Sequence, residues 1–124
     1  NANQNIRAYV VNILEFDDPI EVKAFIGSCK GVISSRFHGC VSALSQAVPC
    51  IAFSWSHKYK MLLDDYDFTN YLITSTSSVS DIDKMLYSFI NLSATDTEKL
   101  RHFSDNHKAS VHIAWEKIKV FIAK

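Results

Sequence analysis

No charge of either sign dominates this chain: thirteen lysines and arginines are balanced by thirteen aspartates and glutamates. Without a net basic field, non-specific binding to nucleic acid or to an anionic membrane surface has little to drive it. Any anion recognition must be local. Long hydrophobic runs are missing as well, and none approaches the ~18 apolar residues of a membrane span. The polar opening, Asn1 to Asn5, lacks the charged-then-apolar layout of a signal peptide. Cysteine is scarce. Cys29, Cys40 and Cys50 are odd in number and form no C-x-x-C pair, which argues against a disulfide framework and a zinc site. They read as buried, reduced thiols of a cytoplasmic protein. There is no internal repeat, low-complexity segment, linker or glycine-rich opening, and no cofactor motif. Asn91-Leu92-Ser93 matches a glycosylation acceptor, read here as chance.

What remains is enough for one globular α/β domain over residues 1–124, with a core of its own. Tyr9 to Leu14 reads as a buried strand. Asp18 as N-cap, Pro19 at the first helical position and Glu21 behind it open a helix with an apolar stripe of Val22, Phe25 and Ile26. It is expected to stop near Gly27, or by Gly31. Gly31 to Ser35 is a second strand and Phe37 to Ala47 a small-residue helix, ended by Val48-Pro49. Cys50 to Phe53 is a third strand, followed by a helix from about His57 to Tyr66. Tyr71 to Ile73 is a short strand. A helix follows from about Ser80, carrying Ile82, Met85, Leu86, Phe89 and Ile90.

A last, long helix is expected from Thr95 or Thr97 to Ile122, with Leu100, Phe103, His107, Val111, Ala114 or Trp115, Ile118 and Phe121 or Ile122 as its stripe. This alternation predicts a Rossmann-like parallel sheet with helices on both faces and a long C-terminal helix. The pattern starts abruptly, as though inside a fold.

In such sheets ligands bind beyond the carboxyl ends of the strands. Ser34 to His38 and Ser54 to Lys58 both fall there, at a strand end that opens into a helix. Arg36 offers a planar fork for carboxylate or phosphate. His38 can donate to an anion or move a proton near neutral pH. Ser34 and Ser35 add hydroxyls, one of which is expected to cap the helix. Gly39 removes a side chain where a ligand would approach. The helix start adds free N–H groups and the positive end of the dipole. Lys58, with His57, begins the next helix on the same edge, where a lysine opposes the dipole and a purely structural role is less natural. The bland alternative is a carboxylate-paired arginine, a core histidine and a solvated lysine. Lys60 and the cluster Asp64, Asp65 and Asp67 read as surface groups. His102, His107 and His112 are spaced by five, so they share no helix face and make a poor metal set. His107 reads as a core or interface residue.

The stretch from Gly31 to Phe68, GVISSRFHGCVSALSQAVPCIAFSWSHKYKMLLDDYDF, resembles the polysaccharide pyruvyl transferase family. The shared features are the apolar strand into Ser35-Arg36-Phe37-His38, the Val48-Pro49 step, the next strand and Lys58. The resemblance implies a two-domain, glycosyltransferase-B-like enzyme that moves pyruvate from phosphoenolpyruvate onto a sugar as a ketal, in exopolysaccharide or cell-surface polysaccharide biosynthesis. This chain would be most of the C-terminal, donor-binding domain. Its partners would be phosphoenolpyruvate, a sugar or glycan-lipid acceptor, and an N-terminal domain of the same enzyme. Alone it would be inactive. Ser34, Ser35, Arg36 and Lys58 would bind substrate, and His38 would be the acid; which group meets phosphate is left open.

Two other readings compete. One is the nucleotide-sugar half of a glycosyltransferase, which places a carboxylate near the third strand's exit; here that exit reads His57-Lys58, which is basic. The other is a non-catalytic α/β module whose last helix, with Trp115, Phe121 and Ile122, packs on a partner.

Overall fold

The computed structural model describes residues 13–124. Most of the expected Tyr9–Leu14 strand lies outside them, and Ile13 and Leu14 carry no regular structure. The first element is α1, Pro19–Ser28. Its start follows the sequence logic: Asp18 is the N-cap, its carboxylate accepts from the Ile20 N–H at 2.8 Å, and Pro19 sits at N1. The chain continues through β1 (Val32–Ser34), α2 (Phe37–Leu44), β2 (Cys50–Phe53) and α3 (His57–Asp65). A 3-10 turn over Thr69–Tyr71 leads into β3 (Leu72–Ile73), then α4 (Val79–Ile90) and α5 (Ala94–Ile122).

The three strands form a parallel sheet in the order β1-β2-β3. Val32, Ile33 and Ser34 pair with Cys50, Ile51 and Ala52, and Ala52 and Phe53 pair with Leu72 and Ile73. The predicted class therefore holds: α/β, parallel sheet, long C-terminal helix. The core gathers Cys50 and Ala52 of β2, Cys40, Ala43 and Leu44 of α2, Tyr59 and Leu63 of α3, and Leu100 of α5. Each fully buried leucine or isoleucine there contributes about 1.5–3 kcal/mol. The small residues Cys40 and Ala43 let α2 lie close on β2.

Two helices end by one device, and one of them ends earlier than expected. α2 stops at Leu44 rather than Ala47 because Ala47 takes a left-handed conformation (φ 58°) and the Val48 N–H closes back onto the Ala43 carbonyl at 2.9 Å. Pro49 bars Val48 from the helical region, so the chain has to leave here. After α3, Asp67 (φ 57°) does the same and Phe68 N–H reaches Leu63 O at 2.8 Å. α4 and α5 begin at capping boxes one to four residues earlier than predicted: Ser78 with Asp81, and Ser93 with Asp96.

The long helix is where the expected stripe fails. Leu100 is fully buried, and the Ser104 hydroxyl donates to the Ser45 carbonyl at 2.8 Å. His107 stacks on Tyr66 with ring centroids 4.8 Å apart, and its Nε2 lies 2.9 Å from the Asp65 carbonyl. Beyond it, Val111, Trp115, Ile118 and Phe121 are exposed. The period is helical, but the sheet ends before the helix does.

Candidate functional site

Ser34 ends β1 and builds the turn that follows. Its Oγ accepts from the Arg36 N–H at 3.0 Å and donates to the Arg36 carbonyl at 3.1 Å. Neither Ser34 nor Ser35 caps α2, contrary to expectation. Arg36 itself holds the N-cap position and makes no side-chain cap bond. The first backbone bond of the helix is Cys40 N–H to Arg36 O, 3.1 Å. The N–H groups of Phe37, His38 and Gly39 stand ahead of it, aimed out of the helix start. Gly39 lines the same cavity, and a Cβ there would lie 2.7 Å from Ser34 Oγ, so the glycine also makes room for that serine.

The neighbouring strand repeats the device. At the end of β2, Ser54 Oγ accepts from Ser56 N–H at 3.0 Å. The chain then enters α3, which puts Lys58 and Tyr59 in its first turn. The buried Tyr59 hydroxyl donates to the Ser35 carbonyl at 2.8 Å, and its ring meets Phe37 edge-on at 5.4 Å. Lys58 Nζ lies 4.8 Å from the centroid of Phe37 and 5.7 Å from that of Tyr59. Such cation–π contacts hold the ammonium over the ring without neutralising it.

One cavity of about 810 Å³ is lined by Ser34, Ser35, Arg36, His38 and Lys58, the five residues that the family resemblance assigned to the site. His57 is not among its lining residues. Arg36, His38 and Lys58 are exposed, and among the described residues no carboxylate lies within 4 Å of any of them. The cationic groups are available to an incoming anion. Lys60, by contrast, is paired with Asp64 at 2.8 Å on the surface, and Thr69 also bonds Asp64.

The cavity's other wall comes from α1 and the residues before it, including Phe16, Asp17, Val22, Lys23 and Ile26. Asp17 and Lys23 were not read as site residues. The signal was present: α1 precedes β1 directly, and Val22 and Ile26 put a stripe on the side where Lys23 also lies. It went unread because a lone lysine on an amphipathic helix usually faces water. Among the described residues no three His, Cys, Asp or Glu side chains gather as a metal site.

The fold and cavity thus define an α/β domain that gathers an arginine, a histidine and a lysine at the carboxyl ends of two adjacent parallel strands. Residues 2–57 match the family described as polysaccharide pyruvyl transferase. That segment holds β1, the Arg36–His38 turn, α2 and β2, and is similar to that family; Lys58 lies one residue beyond the match. No curated protein and no solved structure matches the chain. No helix of the described residues is long and apolar enough to cross a membrane.

Proposed function

We propose that the chain is the donor-binding part of a pyruvyltransferase and that its 810 Å³ cavity receives phosphoenolpyruvate. The observation that carries this reading is the convergence of Arg36, His38 and Lys58, from two strand exits, on one cavity, the first two of them within the segment that matches this family. Phosphoenolpyruvate is small and bears two anionic groups. Arg36 with the start of α2 takes one and Lys58 takes the other, while Ser34 and Ser35 line the floor. The basic exit of β2, where a nucleotide-sugar enzyme would place a ribose-binding carboxylate, favours this donor over a nucleotide sugar.

Ketal formation makes two C–O bonds at C2 of the donor. The terminal methylene takes a proton and becomes a methyl group, leaving an oxocarbenium-like C2. Two sugar hydroxyls attack it and the C2–O bond to phosphate breaks. Of the two hydroxyl protons released, one balances the proton given to the methylene and the other leaves with phosphate. His38 is the acid that protonates the methylene; a positioned acid is worth about 10²–10⁴ in rate. The acceptor, a sugar or glycan-lipid of a surface polysaccharide, would be held largely by an N-terminal domain. The three free thiols suit a cytoplasmic location.

Calorimetric titration with phosphoenolpyruvate and with a UDP-sugar panel tests the reading. Binding of phosphoenolpyruvate that Arg36→Ala abolishes is expected. Unchanged binding in Arg36→Ala, or preference for a UDP-sugar, would sink it. In the two-domain enzyme, His38→Gln should bind the donor and lose turnover.

A further inference from the structure

We infer that Lys23, on α1, is a third anion-holding cation of the donor cavity. This rests on the phosphoenolpyruvate reading and extends it to a helix outside the strand-exit loops.

Three observations converge. Lys23 lines the same cavity as Arg36, His38 and Lys58. Lys23 is exposed, as Arg36, His38 and Lys58 are. Its neighbours at helical spacing, Pro19, Val22 and Ile26, line the cavity as well, and Ile26 packs against the core. One turn on, Gly27 meets the turn after α2 so closely that a Cβ would collide with the Gln46 side-chain oxygen.

The backbone of Lys23 is also pinned. Gln46 Nε2 donates to the Lys23 carbonyl at 3.0 Å and to the Ser42 carbonyl at 2.8 Å. One amide therefore ties α1 to α2 at Lys23 itself. The side chain springs from a fixed point beside the last turn of α2, the helix whose start carries Arg36 and His38. Among the described residues no carboxylate lies within 4 Å of its ammonium. The adjacent Asp18 is engaged as the N-cap of α1.

Charge balance gives Lys23 a task. At neutral pH a phosphate monoester carries about 1.5–2 negative charges, and the donor's carboxylate adds another. Arg36 and Lys58 supply two positive charges, and Asp17 on the cavity wall subtracts one. A third cation brings the cavity nearer to neutrality with the donor bound. Its place on α1 lets it reach the donor from a different element than the other two.

The test is calorimetric titration of phosphoenolpyruvate into the 124-residue chain and three variants. Lys23→Ala should weaken binding about tenfold, the size of a partly screened charge-assisted hydrogen bond. Lys23→Arg should stay within about threefold. Lys30→Ala removes an exposed lysine outside the cavity and should change nothing. All three should melt with the wild type. Equal binding by wild type and Lys23→Ala overturns the inference and leaves the donor reading standing. Equal losses in Lys23→Ala and Lys30→Ala overturn it too, because the effect is then general charge. A wild type that binds no phosphoenolpyruvate overturns the donor reading and this inference with it.

Discussion

The Tyr59 hydroxyl donates to the Ser35 carbonyl at 2.8 Å, joining the first turn of α3 to the loop that leaves β1. It spans 24 residues of sequence and sets the spacing between the Arg36 and Lys58 backbones. Tyr59→Phe keeps the ring on Phe37 and removes only this bond. The expected cost is about 1 kcal/mol, a fall of roughly 3–6 °C in melting temperature for a domain of this size. Phosphoenolpyruvate binding should weaken with it. Thermal melts and titrations on the same preparation check both.

Gly39 and Ser34 form a second couple. Gly39→Ala places a Cβ on Ser34 Oγ, which must then release the Arg36 N–H and carbonyl. The single variant should lose about 1–3 kcal/mol, the usual range for overpacking. In Gly39→Ala/Ser34→Ala the clashing oxygen is gone. The double variant should therefore be more stable than the sum of the singles predicts, as a double-mutant cycle by urea unfolding would show.

Acid should loosen the two long helices first. Asp81 is held below the usual carboxylate range by the Ser78 hydroxyl and backbone N–H, and Asp96 likewise by Ser93. A carboxyl whose folded value is depressed stabilises the fold above its unfolded value, near 3.8, and loses that contribution as pH falls through the folded value. Urea midpoints should be flat from pH 7 to about 5 and fall below about 4. The Asp81→Asn/Asp96→Asn variant should start lower and show a shallower fall.

The three thiols should separate by reactivity. Cys40 and Cys50 are fully buried, and the Cys50 thiol is pushed up by its hydrogen bond with Cys40 and by burial. Cys29, at the end of α1, is only half-buried. Iodoacetamide followed by mass spectrometry should mark Cys29 alone in the native chain and all three in urea. Native labelling of Cys50 at a matching rate would contradict the packing of β2.

The sequence carried the site more fully than the fold's edges. Ser34 to His38 and Lys58 were legible because a strand-to-helix turn, its residue types and the Pro49 step are all local signals. So was the start of α1, where Asp18 and Pro19 act within one turn. The end of α2 was hidden because left-handed Ala47 is chosen by where the chain must go next, and an alanine does not announce that conformation. The contact of Gly39 with Ser34 was not legible because that serine lies five residues back and on another element. Lys23 and Asp17 entered the cavity through the packing of α1 on α2, which depends on Gly27 and Gln46 meeting across 19 positions. The fate of the α5 stripe was illegible for a simpler reason: periodicity reports a face and says nothing about how far the surface beneath it extends.

That helix has a hydrodynamic consequence. Its 29 residues make a rod of about 43 Å. A compact sphere of 124 residues, with a radius of gyration near 14 Å, would be only about 35 Å across. The last turns of α5 therefore reach past the body they start from. The particle drags more solvent than its mass suggests, so a monomer would elute from a sizing column ahead of a compact standard. Its scattering profile would carry a long-distance tail whose length is set by one helix.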